Sequence, residues 1–324
     1  MKTSMRIAIF LFLSCVLLAA CLFLGAFGFG LPHPGTATGH AILMMRVNRI
    51  ITGFFVGAAL ACAGVVFQAL LRNPLAEPYI LGVSSGAGLG AAIAILTGFA
   101  LQSFFGLPAI AFGAALLTLG IVFALAGNHG SPSVYSLILS GVIVSSICSS
   151  LLMFIVSMAP VEGLHSVIWW MLGNLEPTSR QLLIVSATLI TAGCAVAWAM
   201  SRELDALTLG RETAHNIGIR TTFTVITGLL IATLITATAV GLAGLIGFVG
   251  LIVPHVARNL VGPKHRYLIP VAAIGGGVFL AVCDAFARFV LSPQELPVGV
   301  VTALVGGPFF LFVLRRKRMS GWTE

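Results

Sequence analysis

RVNRIITGFFVGAALACAGVVFQALL (residues 46–71) is the stretch that decides the fold class. After Arg49 it contains no Asp, Glu, Lys or Arg before Arg72. A run of about 20 apolar and small residues is long enough for one α-helix to cross a lipid bilayer. Arg46 and Arg49 stand three residues apart at its beginning. The segment therefore predicts a membrane-spanning helix with two arginines at its edge.

The composition of the whole chain agrees with a membrane protein. Of its 324 residues, 59% are hydrophobic and 8% are charged, whereas a soluble globular protein has about 25% charged residues. Since backbone polar groups in lipid must be satisfied within the chain, we expect an all-α polytopic fold. The net charge of +8 indicates lysines and arginines retained on one membrane side, not nucleic-acid binding. The six cysteines lie in apolar runs without a CxxC pair, so we expect neither a disulfide framework nor a metal site.

Charge-free intervals along the chain predict about ten transmembrane helices in a single domain spanning residues 1–324. The motif LLAAC (17–21) is similar to a lipoprotein cleavage box, but the apolar run continues to Gly30. We therefore expect a first span that is retained. The interval 78–161 is long enough for three spans. The interval 221–257 is too long for one crossing, and its glycines predict a break before LIVPHVAR (251–258).

The distribution of basic residues predicts the topology. An even number of spans, with Lys2 and Arg6 at one end and the basic run 315–318 at the other, places both termini in the cytoplasm. All but four of the 17 lysines and arginines then lie inside. The four outside residues are Arg46, Arg49, Arg180 and Arg288.

Small residues recur at the spacing that favours close helix packing in lipid. Gly82, Gly86 and Gly90 form one such row, and Gly53 and Gly57 form another. We interpret both rows as packing faces.

Two kinds of chemistry have little support in the sequence. GVSSG (82–86) fits the nucleophile-elbow pattern around Ser84, but it opens an apolar helix, and no acid follows within the next 75 residues. An intramembrane serine hydrolase is therefore only a remote alternative. No lysine follows a glycine, so the chain has no P-loop and binds no ATP in that manner.

Ion-coupled secondary transport is the main alternative function, and it requires ionisable groups within the bundle. The best candidate is Asp284. Because Arg288 follows four residues later, we expect these two side chains to neutralise each other on one helix face.

SRELDALTLGRETAHNIGIR (201–220) is the one long polar segment between spans. Its length and its glycines predict two short helices that meet near Gly210.

Four segments together resemble the FecCD transport permeases, the membrane subunits of ATP-binding-cassette (ABC) importers for iron–siderophore complexes, haem and cobalamin. The segments are residues 46–88, LTLGRETAHNIGI (207–219), LAGLIGFVGLIVPHVAR (242–258) and residues 284–310, in the order of the family. The resemblance covers nearly the whole chain. It implies the cobalamin-permease-like fold of type II ABC importers, in a bacterial cytoplasmic membrane.

The resemblance also implies the partners. Two copies of the permease enclose the pathway, two separate ATPase subunits bind from the cytoplasm, and an extracytoplasmic binding protein delivers the metal chelate. The permease itself is then not an enzyme, and neither a cofactor nor a resident metal is expected.

Site roles follow from the matching motifs. The resemblance places Arg46, Arg49 and Arg288 at an exposed outer surface, where they bind acids of the binding protein. It places the ATPase contact in the segment 201–220, represented by Leu209, Gly210, Glu212, Ala214 and Gly218. The cytoplasmic gate falls in the loop GNHGSPSVYS (127–136), nearest Val134 and Tyr135. Arg180 lies outside these motifs, and we interpret it as an interfacial anchor to lipid.

Overall fold

The computed structural model describes residues 3–25, 28–30, 35–99, 103, 105–127 and 134–319. Nearly all of the regular structure in these ranges is helical, which confirms the all-α prediction. The helices are α1 (Thr3–Cys21), α2 (Ala37–Leu70), α3 (Val83–Leu96), α4 (Gly106–Ala126), α5 (Val134–Ser157), α6 (Val161–Met171), α7 (Arg180–Ala199), α8 (Ser201–Thr208), α9 (Arg211–Asn216), α10 (Thr221–Ala243), α11 (Val249–Val261), α12 (His265–Val290) and α13 (Val298–Met319).

Six of these helices are long and apolar enough to cross a membrane, and four shorter apolar helices accompany them within the described ranges. Together they match the predicted count of about ten. The interval 78–161 holds α3, α4 and α5, as expected. The sequence did not predict α6, a short helix between α5 and α7.

Helix α2 lies at the centre of the bundle and packs against α12, α10, α11 and α7. Every residue from Val56 to Leu70 is buried. The helix begins at Ala37, where the Thr36 side chain accepts a hydrogen bond from the Gly39 amide. The charge pattern had suggested that Arg46 and Arg49 lie at the edge of this helix. They lie instead several turns inside it.

The first span is shorter than predicted, because α1 ends at Cys21. A small antiparallel hairpin follows, with strands β1 (Leu24–Gly25) and β2 (Gly28–Phe29). Glycine is a poor helix former, and residues 25–30 contain three glycines. The chain thus leaves the helix early and presents backbone carbonyls beside α2 and α12.

The predicted break within 221–257 is confirmed between α10 and α11. Gly244 and Phe248 both have positive φ angles, 69° and 68°. Phe248 is unusual, because residues with a Cβ seldom adopt this conformation. Two side chains from the loop after α2 hold the break in place. The Glu77 carboxylate accepts the Phe248 N–H at 2.6 Å, and the Tyr79 hydroxyl bonds both the N–H and the carbonyl of Ile246.

Candidate functional site: an arginine network and a polar two-helix segment

Arg49 is the centre of a buried charge network that joins α2 to α12. Its guanidinium donates to Asp284 Oδ1 at 2.8 Å and to Glu295 Oε2 at 2.6 Å. Arg288 lies one helical turn from Asp284 and pairs with its second oxygen, with Nε 3.0 Å from Oδ2. The expected Asp284–Arg288 pair is therefore present, but it is part of a larger set that includes Glu295.

Arg46 and Arg288 are also bound by the hairpin that follows α1. Arg46 Nη1 donates to the carbonyls of Leu22 and Gly30, at 2.7 and 2.8 Å. Arg288 Nη1 approaches the carbonyl of Leu24 at 3.4 Å. The early end of α1 thus supplies acceptors for two guanidiniums. We call Arg46, Arg49, Asp284, Arg288 and Glu295 the arginine network.

The expected exposure of the three arginines is wrong. Arg46, Arg49 and Arg288 are only 7%, 8% and 2% exposed. Each guanidinium bonds acceptors inside the bundle, because a buried cation without partners is costly. Their role in docking a binding protein stays a prediction. Glu295 was missed because a lone acid in a loop carries no periodic signal in the sequence.

Asn48, between the two arginines of RVNR, connects α2 to the segment before α7. Its amide donates to the Thr178 carbonyl at 2.8 Å, and its oxygen accepts the Thr178 N–H at 3.0 Å. Arg180, two residues further on, is exposed. No sequence pattern indicates this contact, which joins residues 130 positions apart.

The polar segment 201–220 forms two short helices, α8 and α9, as predicted. They meet at Leu209 and Gly210, and Gly210 has a φ of 126° that favours glycine. Leu209 is 71% exposed, and Glu212 also points away from the bundle. Ala214 is fully buried, and its N–H donates to the Gly210 carbonyl at 3.0 Å. The segment thus presents an exposed turn on a base anchored in the bundle.

The predicted gate lies at the beginning of α5. Tyr135 is 75% exposed, while residues 128–133 and the Val134 side chain lie outside the described part of the structure. Ser146 and Ser149 are exposed on the same face of α5, at helical spacing from Tyr135. Hydroxyl groups on an otherwise apolar membrane helix favour contact with protein or water over lipid. This face is the candidate pathway surface.

Comparison with known proteins identifies the family. A profile of the FecCD transport family matches residues 7–316. The chain belongs to the FecCD transport family. The cobalamin import system permease BtuC of Halobacterium salinarum is 40% identical to this FecCD chain over 85% of the chain and 73% of its own length. The Fe(3+) dicitrate transport permease FecD of Escherichia coli is 35% identical over 97% of the chain and its own full length.

Comparison with a solved structure identifies the fold. A metal-chelate type ABC transporter in an inward-facing conformation superposes on the FecCD chain with a TM-score of 0.85 at 30% identity. The match covers 97% of this chain and 99% of the other. The permease fold expected from the resemblance is therefore confirmed.

The predicted glycine rows of the FecCD chain lie where helices approach closely. A Cβ at Gly57 would overlap the Gly276 carbonyl of α12, and a Cβ at Gly86 would overlap the Thr118 side chain of α4. A Cβ at Gly53 or Gly90 would also lie within 3.0 Å of a neighbouring atom. Gly82 is not part of a helical row, because it precedes α3 and has a φ of 81°, a turn conformation that favours glycine. Ser84 opens α3 after a short 3₁₀ turn (Pro78–Leu81), and not after the strand that a nucleophile elbow requires.

Proposed function

We propose that this FecCD permease carries a metal chelate into the cytoplasm, driven by ATP hydrolysis on a separate ATPase subunit. The observation that carries the proposal is the full-length likeness to a metal-chelate ABC transporter, at 30% identity and a TM-score of 0.85. The relatives that carry cobalamin and Fe(3+) dicitrate support the same substrate class. A ferric siderophore is the first substrate to test, followed by cobalamin and haem.

The partners in this proposal are a second permease copy, two ATPase subunits and an extracytoplasmic binding protein. The exposed turn at Leu209–Gly210 and the neighbouring Glu212 form the proposed ATPase contact, with Ala214 and Gly218 shaping the helix and turn behind it. The α5 face with Tyr135, Ser146 and Ser149 is the proposed pathway surface, closed by the second copy. Both termini and the segment 201–220 then face the cytoplasm.

Docking of the binding protein is proposed at the end of the bundle that holds the arginine network. The network contains three guanidiniums and two carboxylates. The excess positive charge attracts an acidic partner. Arg46, which binds only carbonyl oxygens in the described structure, is the residue most able to exchange them for a carboxylate. Arg49 and Arg288 contribute charge from behind it.

The alternative, an ion-coupled secondary transporter, has less support from the geometry. Asp284 is the best candidate relay within the spans, and Arg49 and Arg288 both pair with it. Its carboxylate is thus already engaged in two ion pairs within the bundle, as expected of a structural charge network.

Reconstitution in lipid vesicles tests the proposal. The chain alone is expected to hydrolyse no ATP. The chain with its ATPase, binding protein and a ferric siderophore is expected to take up the chelate only when ATP is present on the ATPase side. Uptake driven by a proton or sodium gradient, without the ATPase, would overturn the proposal in favour of secondary transport.

A further inference from the structure

Asp205 and His265 join the polar segment to a membrane-spanning helix. Asp205 lies in α8, and His265 is the first residue of α12. Asp205 Oδ1 accepts the His265 backbone N–H at 3.0 Å and lies 2.6 Å from Nδ1 of the same residue. One carboxylate oxygen therefore holds both the backbone and the ring of His265.

The N-terminal end of a helix favours a contact of this kind with a carboxylate. The first N–H groups of a helix have no partner within the helix, and the positive end of its dipole favours an anion. Asp205 supplies both an acceptor and a negative charge to α12 from a different helix. The His265 ring is 3% exposed, and its Nε2 has no hydrogen-bond partner among the described residues. All hydrogen bonding of the ring is thus directed to Asp205.

A second bond at the same place ties the preceding helix to α12. Trp198, near the end of α7, donates its indole N–H to the Arg266 carbonyl at 3.0 Å. The α7–α8 corner therefore contacts the first turn of α12 twice. The Asp205 carboxylate binds His265, and the Trp198 indole binds the next residue, Arg266.

The other end of α12 carries Asp284 and Arg288 of the arginine network. Asp284 lies 19 residues after His265 on one continuous helix, a distance of about 28 Å at 1.5 Å per residue. Gly276, between them, lies against Gly57 of α2. A single helix thus connects the polar segment with the arginine network.

We propose that Asp205 and His265 are positioning residues that transmit movement of α8 to α12 during ATP-driven transport. The proposal rests on the function proposed above, in which the ATPase binds residues 201–220. With the contact intact, displacement of α8 pulls on the first turn of α12, and the helix carries the displacement to the arginine network. Without it, the turn at Leu209–Gly210 absorbs the movement.

The test measures chelate uptake and ATP hydrolysis together, in vesicles that contain the assembled transporter. We expect Asp205→Ala and His265→Ala each to lower the chelate taken up per ATP hydrolysed by about fivefold or more, the lower range of measured coupling between sites. The double variant should be no worse than Asp205→Ala alone, because that change already removes both the ring bond and the backbone bond. Asp205→Asn keeps an oxygen acceptor and should restore most of the ratio.

The uptake-to-hydrolysis ratio is insensitive to the amount of folded protein, so it separates transmission from simple loss of structure. Tyr267→Phe, in the same turn of α12 but exposed, is the matched control and should keep the wild-type ratio. A wild-type ratio in both alanine variants would overturn the inference. Failure of both alanine variants and of Asp205→Asn to assemble would also overturn it, because the contact would then be structural. Failure of the proposed function is distinguishable, since the wild-type complex itself would then show no ATP-dependent uptake.

Discussion

At the scale of single residues, the arginine network gathers five ionisable side chains in a chain of which only 8% of the residues are charged. Arg49 contacts two carboxylates, and Asp284 contacts two guanidiniums. Removing one partner from a buried pair leaves an uncompensated charge, which is more damaging than never having had the pair. Each member of the network therefore depends on the others.

Arg49→Ala is expected to lower the free energy of unfolding by up to about 3 kcal/mol, because Glu295 loses its guanidinium and Asp284 keeps only Arg288. Thermal unfolding in lipid nanodiscs measures the change. Arg180→Ala, at an exposed arginine, is the matched control and should leave the midpoint within the error of wild type. Equal midpoints for the two variants would show that the network adds nothing to stability.

Arg46→Gln tests docking of the binding protein. Reversing Arg46 and Arg49 to Glu would place acids beside Asp284 and Glu295, so that double change disturbs folding as well as docking. The single change removes one positive charge and leaves both ion pairs of Arg49 intact. We expect slower association with the binding protein and a weaker dependence of the rate on salt. Surface plasmon resonance across a salt series measures the association rate and its salt dependence, with Arg180→Gln as the control. Identical salt slopes for wild type and Arg46→Gln would exclude docking at Arg46.

At the scale of elements, the short helix α9 is the most vulnerable part of the polar segment. It spans only Arg211–Asn216, and isolated helices of this length are not stable. The buried Ala214 anchors it to the bundle, and the hydrogen bond from the Ala214 N–H to the Gly210 carbonyl closes its first turn.

Ala214→Pro removes that hydrogen bond and costs about 3 kcal/mol in a helix interior. We expect the permease to insert into the membrane but to bind the ATPase subunit weakly and transport little. Co-purification of the ATPase, followed by uptake assays, measures this. Ala214→Gly keeps the N–H and costs only about 1 kcal/mol, so it should retain most of the binding. Full transport by Ala214→Pro would remove α9 from the proposed ATPase contact.

The contact of α2 with α12 depends on backbone proximity at Gly57. Gly57→Ala forces a Cβ into the Gly276 carbonyl, and such overpacking costs about 1–3 kcal/mol. Gly113→Ala in α4 is the control, since a Cβ there meets no atom within 4 Å. Thermal unfolding should show a lowered midpoint for Gly57→Ala and an unchanged or raised one for Gly113→Ala. The reverse order would contradict the packing role of the Gly57 row.

At the scale of the whole molecule, the question is which surface faces lipid and which faces the pathway. Many large apolar side chains are exposed on the described surface, including Leu117 of α4 at 67%. The α5 face differs from that of α4, because Ser146 and Ser149 are exposed among its apolar neighbours. This difference supports the assignment of the α5 face to the pathway.

Cysteine labelling distinguishes the two surfaces in the assembled transporter. In a background that lacks the exposed Cys15, Ser149→Cys should react with a membrane-impermeant maleimide, because the pathway admits water. Leu117→Cys is also exposed in the isolated chain but should stay unlabelled in lipid. If the two positions react at the same rate, the α5 face does not line an aqueous pathway.

The amino-acid sequence by itself determined the membrane class, the number of apolar helices, the break between α10 and α11 and the two short helices of the polar segment. These features depend on hydropathy, charge and glycine content within a few neighbouring turns, which a linear sequence records directly. The match of several motifs in order was also enough to indicate the family.

Only the tertiary structure decided which side chains meet. Arg49 and Glu295 are 246 residues apart, and Asp205 and His265 are 60 apart. Neither contact follows from local periodicity. The three arginines were expected to be exposed, yet they are buried. The segment after α1 covers Arg46 and Arg288, and Arg49 pairs with Asp284 and Glu295. Burial depends on which elements pack around a residue, and that is a property of the folded bundle and not of the segment.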